Sequence, residues 1–340
     1  MDALSEPRER SDQIGRESVE AHLSEIANVG ALTHGWIIKG GEGVGKATLA
    51  YRLARGLLDP NARLGKDSFN VDPNEKVFRL IAGEAHPDLF VLQRPWDEKN
   101  SRYKSEIPVD SVRDLISFLN RTPALGRMRV AIIDTADHLN RNGANALLKA
   151  LEEPPKNTAL FLLSTQPGRL PATVRSRCKV IELRPLADQL VVDLLEREGL
   201  ASESNAKTIA AHAGGRPGFA LRLAAEDGAA AITLCDKFLS RIVAGNEPDD
   251  IIASLAPNSA DNAWAIFRAT MLQSLMDSAR AAASQRSRSG PLKDASAQNL
   301  LRAWETASTL LSRGEALNVD RGQILAALNF DIAPLLRSRA

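Results

Sequence analysis

Cysteine is nearly absent from this chain, since only Cys178 and Cys235 occur among its 340 residues. Two cysteines cannot build the framework of several disulfides that stabilises small secreted domains. They are also too few for a structural zinc site, which takes four ligands. We therefore expect a protein of a reducing compartment that binds no zinc.

Long apolar runs and an excess of one charge are missing as well. No run approaches the ~20 apolar residues of a membrane span, and the charged residues 1–17 lack the apolar core of a signal peptide. A net charge of +1 argues against a strongly basic chain that coats nucleic acid. Because only 4% of the residues are aromatic, aliphatic side chains must fill the core. We expect a soluble, cytoplasmic, helix-rich protein with no membrane partner.

A glycine-rich loop is the first feature that points to chemistry. The pattern G-x-x-x-x-G-K is met at Gly40, Gly45 and Lys46, with Gly43 between them, after an apolar run and before leucines at helical spacing. A strand before the loop and a helix after it are the context of a phosphate-binding P-loop. Backbone N–H groups of such a loop would surround the phosphates, and Lys46 would reach the β- and γ-phosphates.

Two side chains that ATP hydrolysis needs are missing from this pattern. Ala47 stands where a hydroxyl would bind Mg²⁺, and Thr48 is rotated by about 100° from that position on a helix. Asp134 follows an apolar strand, where an open α/β sheet places ligand residues, although it could also be a cap or turn residue. Thr135 comes next, and its hydroxyl cannot act as a base near neutral pH. Whether ATP and Mg²⁺ bind is left open by the sequence.

Apolar strands alternate with helical patterns as far as Leu183, which predicts a parallel sheet covered by helices on both faces. Ser111 and Asp114 have the spacing of a capping box, and residues 59–85 are predicted to be an irregular insertion. Beyond residue 185 only helical patterns occur, apart from a loop at 284–294. We predict three domains: an α/β P-loop domain at 1–184, a small helical lid at 185–242 and an all-helical oligomerisation (collar) domain at 243–340.

Several segments together carry a family resemblance, namely HGWIIKGGEGVGKATLAYRLARGLL, HPDLFVL, IPVDSVRDL, NALLKALEEPP and LPATVRSRC. They closely resemble bacterial DNA polymerase III clamp-loader subunits, which belong to the AAA+ superfamily together with the replication factor C small subunits. The resemblance spans residues 12–183, and the helical remainder is similar only in kind.

The resemblance implies roles for individual residues. Lys46 corresponds to the Walker A lysine and Asp134 to the Walker B aspartate. Thr165 falls at the position of the sensor-1 polar residue. Arg177, in the sequence Ser-Arg-Cys, corresponds to an arginine finger that serves the ATP site of the neighbouring subunit.

Departures from the family pattern indicate which class of subunit this is. The gamma/tau motors have an intact P-loop, an Asp-Glu pair, a four-cysteine zinc module and often a long tail, whereas delta-prime subunits commonly have degraded ATPase residues. With Ala47 and Thr135, and no cysteine in residues 59–85, the chain is similar to the delta-prime class. Gly218 falls at the sensor-2 position and Arg216 two residues early, so no sensor-2 residue is assigned.

This resemblance implies interaction partners for the chain and leaves alternative functions open. The partners would be gamma/tau and delta subunits in a hetero-oligomeric ring, with the sliding clamp and primer–template DNA reached through the complex. The main rival is an active gamma/tau-type ATPase, and another is a different AAA+ DNA-processing factor, such as a recombination helicase loader. Arg177 could instead be a surface arginine paired with a carboxylate, and the basic residues 286–288 leave direct DNA contact undecided.

Overall fold

The computed structural model describes residues 5–28, 35–59, 69–97, 102–125, 128–225, 228–257, 261–285, 290–317 and 319–337. They form two compact units. The first unit contains residues 1–186 with 216–218, and the second contains 187–215 with 219–340.

The first unit is built on a parallel sheet of five strands. Its strand order is β2-β5-β6-β1-β7, and a separate pair, β3 and β4, is antiparallel. The strands are β1 (Gly35–Lys39), β2 (Leu89–Gln93), β3 (Trp96–Asp97), β4 (Arg102–Tyr103), β5 (Arg129–Asp134), β6 (Thr158–Ser164) and β7 (Lys179–Glu182). The helices of this unit are α1 (Glu17–Asn28), α2 (Lys46–Leu58), α3 (Lys76–Ala82), α4 (Val109–Leu119), α5 (Arg141–Glu152) and α6 (Ala172–Arg175).

Helices cover both faces of this sheet because its central strands are apolar on both sides. All seven residues of β6 are buried. One hydrophobic cluster joins one face of the sheet to α2, and it includes Leu49, Leu53 and Phe161. A second cluster joins the opposite face to α4 and α5, and it includes Leu115 and Leu147. The predicted α/β P-loop fold class is confirmed.

The second unit is helical, as the sequence predicts. Its helices are α7 (Asp188–Arg197), α8 (Glu203–Ala213), α9 (Pro217–Ala225, whose first two residues belong to the first unit), α10 (Gly228–Ala244), α11 (Asp249–Leu255), α12 (Asp261–Ala283), α13 (Ala297–Ala316) and α14 (Arg321–Arg337). One core joins α10 to α14 and contains Phe238, Phe267 and Leu328. The division of this unit at residue 242 stays a prediction. No helix among the described residues is long and apolar enough to span a membrane.

Two local predictions need comment. The prediction of a capping box at Ser111 and Asp114 is wrong, because α4 already begins at Val109, after Pro108, and no side chain caps it. Proline holds φ at the value that suits a helix start, so the helix begins before Ser111. Within the insertion predicted at 59–85, Lys76–Ala82 form α3, and residues 60–68 lie outside the described residues. The same holds for residues 286–289 of the predicted 284–294 loop.

Arginines of α2 hold the N-terminal segment against the first unit. The Arg55 side chain is 1% exposed, and its guanidinium donates to the carbonyl oxygens of Arg8 and Arg10, both at 2.7 Å. It also lies 4.2 Å from the centroid of the Phe78 ring. Burial, and then the charge of Arg52, lowers the pKa of Arg55 to about 10. Arg55 therefore attaches the segment through buried hydrogen bonds to backbone carbonyls, and no carboxylate among the described residues forms an ion pair with it.

We expect Arg55→Ala to lower the free energy of unfolding by about 2 kcal/mol, because two buried carbonyl oxygens lose their donors. Urea unfolding followed by circular dichroism measures the change. The matched control is Arg113→Ala, since the Arg113 side chain is 67% exposed in its pair with Asp110. That change should cost less than about 1 kcal/mol. Equal effects of the two substitutions would contradict the role given to Arg55.

Candidate nucleotide-binding site

The glycine loop lies between β1 and α2, at the carboxyl edge of the sheet. Gly43 and Gly45 have φ of 75° and 101°, in the left-handed region where glycine is not strained. A Cβ atom on Gly40 would lie 2.6 Å from the carbonyl oxygen of Leu183, so the close approach of β7 requires glycine there. The three glycines of the motif thus adopt a conformation that few other residues could.

Donors from outside the loop bind its carbonyl oxygens. The Gly218 amide donates to Gly43 O at 2.8 Å, Arg16 Nη2 donates to Val44 O at 3.2 Å, and Gln13 Nε2 donates to Gly45 O at 2.9 Å. Because the C=O and the following N–H of a trans peptide point in opposite directions, the amides of Gly45 and Lys46 are turned away from Arg16 and Gln13, whereas the Val44 amide donates to Gly41 O at 3.4 Å. This orientation suits an anion on the other side of the loop.

Lys46 is the first residue of α2, and only 9% of it is exposed. Its ammonium donates to Gly40 O and Gly41 O, both at 2.9 Å. Burial lowers the pKa of Lys46, and the charges of Asp134, Asp137 and Glu42 oppose that shift. The lysine is therefore held inside its own loop and would have to leave these carbonyls to reach a phosphate.

Asp134 is the last residue of β5, and its charge interacts with that of Lys46. Burial raises the pKa of Asp134, while the Lys46 charge and a hydrogen bond from the Gln93 side chain counteract the rise. Gln93 ends β2 and is in register with Asp134. Lys46 and Asp134 thus interact electrostatically at the carboxyl edge of the sheet, and Thr135 follows Asp134 in the chain. That these residues bind a nucleotide stays a prediction. Ala47 and Thr48 lie in the first turn of α2, both partly buried.

Asp137 is a carboxylate that the sequence reasoning missed. It accepts from Ser164 Oγ at 2.5 Å, from the Thr165 amide and hydroxyl at 2.6 Å each, and from the Gln166 amide at 3.1 Å. Burial acts to raise its pKa, but these hydrogen bonds outweigh it and the pKa lies below the usual range. The hydroxyl of Thr165 is therefore already engaged. A second aspartate three residues after Asp134 was the available signal.

Arg177 lies outside this cluster, two residues after the end of α6. Its Nη2 is 2.7 Å from Glu152 Oε1, and its Nη1 donates to Thr173 O at 3.0 Å. The side chain of Arg177 is 36% exposed, and that of Glu152, the last residue of α5, is 49% exposed. None of these partners belongs to the glycine loop. Arg177 is thus held at the surface by an ion pair with a residue that the sequence reasoning did not single out.

Comparison of the sequence with known proteins identifies the family of this chain. The family model described as DNA polymerase III, delta subunit, matches residues 15–187, just over half of the chain. The chain belongs to this family. The delta' subunit of Pseudomonas aeruginosa is 38% identical over 159 residues, 47% of this chain and 45% of that protein. The delta' subunit of Escherichia coli is 34% identical over 214 residues, 63% of this chain and 61% of that protein.

Other members of the same replication system match as well. The tau subunit of Escherichia coli is 32% identical over 212 residues, 61% of this chain and 31% of that protein. The chain therefore spans less than two thirds of the length of the curated relatives it matches. A gamma-subunit-related protein of Thermotoga maritima has a TM-score of 0.42 and 17% identity over 94% of this chain and 99% of that chain.

A metal ion in a protein is held by a set of several ligand side chains. Among the described residues, no group of three or more His, Cys, Asp or Glu side chains could hold a metal ion. The absence of zinc stays a prediction, since part of the 59–85 region lies outside those residues.

The hydrogen bonds to Asp137 generate a prediction about pH. A carboxylate whose folded pKa is lowered stabilises the fold above its unfolded pKa of about 3.9, and this contribution is lost as the pH falls below that value. Asp137→Asn should therefore cost about 1.5 kcal/mol at pH 7, and the gap from the unsubstituted protein should shrink from pH 5 to pH 3. Chemical unfolding at each pH measures the gap. A gap that stays constant, or equals that of Asp114→Asn on the surface, contradicts the assignment.

Proposed function

We propose that this chain is a delta'-type subunit of the DNA polymerase III clamp loader, which organises the ring without hydrolysing ATP itself. Its partners would be the gamma/tau and delta subunits, and through them the sliding clamp and primer–template DNA. Its place of action would be the cytoplasm. The family membership and the two delta' relatives support this proposal.

The observation that carries the proposal is an asymmetry between two sites. The chain's own loop keeps Gly40, Gly43, Gly45 and Lys46 in place but has Ala47 and Thr135 at the two hydrolytic positions. Arg177, by contrast, is present and reaches the surface. A subunit that donates a cation to its neighbour, but does not hydrolyse ATP, needs an accessible Arg177 and does not need hydrolytic side chains in its own loop.

Nucleotide binding without turnover fits the loop. The amides turned away from Gln13 and Arg16 would receive the phosphates, and Lys46 and Thr165 would join them only after leaving Gly40 O, Gly41 O and Asp137. Mg²⁺ would be poorly held, because Asp134 would be its main ligand while Ala47 offers no hydroxyl. Bound ATP would supply phosphate charges that the loop amides could contact. Ala47 and Thr135 do not fit a role in hydrolysis.

The isolated protein should therefore not turn over ATP. Phosphoryl-transfer enzymes such as kinases reach ~1–100 per second, and the rate of this chain should be far below that range. A coupled assay on purified protein, with Lys46→Ala as the control for contaminating ATPases, measures it. Turnover near this range that Lys46→Ala abolishes would instead favour the gamma/tau-type motor, whose tau relative is 32% identical.

Arg177 is proposed to act on the ATP site of the neighbouring subunit. A guanidinium supplied in trans neutralises charge on the transferred phosphoryl group and is worth ~10³–10⁵ in rate in well-studied cases. In a reconstituted ring, Arg177→Ala should lower ATP hydrolysis and clamp loading while assembly is retained. Several ATP sites act in one ring, so the loss can be partial. Arg177→Lys should restore little, because the planar fork is missing.

Glu152 separates this role from that of a surface ion pair. If the pair only stabilises the chain, Glu152→Gln and Arg177→Ala should have the same small effect on the ring. If Arg177 is a finger, Glu152→Gln should leave hydrolysis unchanged or raise it, because Arg177 is released from its carboxylate. Glu153→Gln, one residue away and also exposed, is the matched control. Wild-type hydrolysis and loading by assembled Arg177→Ala rings would refute the finger.

The helical residues 243–340 are proposed to be the oligomerisation collar. Helices α12 to α14 pack into one core, and apolar side chains remain exposed on them, among them Leu301 (44%) and Phe330 (82%). Such exposed apolar side chains on a helical layer suit contact with neighbouring subunits.

A further inference from the structure

Two large aromatic side chains stand exposed on the short β3–β4 hairpin. Trp96 is 52% exposed and Tyr103 is 57% exposed. Among the described residues, the only other large aromatic side chain with comparable exposure is Phe330 on α14. In a chain with only 4% aromatic residues, most of which are buried, two exposed rings on one hairpin are unusual.

The two rings form an ordered pair. Trp96 is directly opposite Tyr103 in the β3–β4 register, and their ring centroids are 5.0 Å apart with an interplanar angle of 81°. The guanidinium of Arg94 lies 5.6 Å from the centroid of the Tyr103 ring. In an edge-to-face pair, Trp96 keeps at least one ring face clear of Tyr103, whichever ring supplies the edge. A flat ligand could stack on that face.

Arg94 lies near the Tyr103 ring, and Lys104 follows Tyr103 in the chain. The backbone amide of Lys104 donates to Pro95 O at 2.9 Å, which fixes the end of β4 beside β3, and the Lys104 side chain is exposed. Burial, and then the charge of Arg94, lowers the pKa of His138, so this side chain is not counted among the cations. Residues 94–106 contain four basic and three acidic residues, so the charge there is close to balanced.

The hairpin directly follows β2, which ends at Gln93 beside Asp134. It therefore lies at the same edge of the sheet as the glycine loop. Among the described residues of the first unit, the other large apolar side chains that are exposed lie away from the hairpin. Leu125 is bound through its amide to Asp88, just before the opposite end of β2, and Val180 is on the far edge strand β7.

We propose that Trp96 and Tyr103 form a stacking platform for single-stranded nucleic acid, with Arg94 and Lys104 beside its phosphates. Aromatic side chains bind bases without regard to sequence, and nearby cations follow the backbone. A protein partner is less favoured, because the core of a protein interface needs a larger apolar patch than two rings. This binding site goes beyond the proposed function and, on the isolated chain, does not depend on Arg177.

Fluorescence anisotropy of a labelled 20-residue oligo-dT strand, titrated with the full chain at several salt concentrations, tests the proposal. Trp96→Ala and Tyr103→Ala should each weaken binding about tenfold, since base stacking is worth ~1–3 kcal/mol. Trp96→Phe should retain most of the affinity. Arg94→Ala should reduce the salt dependence by about one phosphate contact.

Controls of the same type distinguish the hairpin from the rest of the surface. Leu125→Ala removes an apolar side chain that is 50% exposed, and Arg113→Ala removes an exposed cation from α4. Both should leave the affinity for oligo-dT unchanged. The proposal is overturned if the wild-type chain does not bind oligo-dT, or if Trp96→Ala binds as well as wild type. It is also overturned if the hairpin variants lose only their affinity for ring subunits, which would make the hairpin a protein interface.

Discussion

The parallel alignment of five strands is the constraint on which the candidate site depends. Since the strands run in one direction, the ends of β1, β2, β5 and β6 meet at a single edge. Lys46, Gln93, Asp134 and Ser164 come from distant parts of the chain, and the sheet alone brings them together. The apolar faces of β5 and β6, buried under helices on both sides, maintain this alignment.

The N-terminal segment adds a second layer of order to the glycine loop. Arg52 and Arg55 of α2 bind backbone carbonyls of residues 8–11, and Gln13 and Arg16 then bind carbonyls of the loop itself. The guanidinium of Arg55 is buried without a carboxylate, and backbone dipoles take the place of a counter-ion. These contacts hold the loop in one conformation from outside, independently of the residue types at positions 47 and 135.

Hydrogen bonds and an ion pair hold the two cations for which a role is proposed, Lys46 and Arg177. Lys46 donates to its own loop, and Arg177 pairs with Glu152. Each contact would have to break before the cation could reach a phosphate. The Arg177 pair is partly exposed and therefore weak, which makes it easy to exchange for a stronger partner. The Lys46 contacts are buried and are harder to replace.

The amino-acid sequence alone determined the fold class and the strand–loop–helix around Lys46, and it shows Ala47 and Thr135 at the two positions proposed to be hydrolytic. These features follow from local apolar periodicity and from residue types at fixed spacing, which do not depend on distant contacts. Only the tertiary structure revealed the hydrogen bonds to Asp137, the Glu152 partner of Arg177 and the Trp96–Tyr103 pair. Each joins residues whose separation along the chain carries no periodic signal. The predicted start of α4 was wrong for a related reason. Pro108 and the packing of the helix set its first residue, whereas the spacing of Ser111 and Asp114 did not.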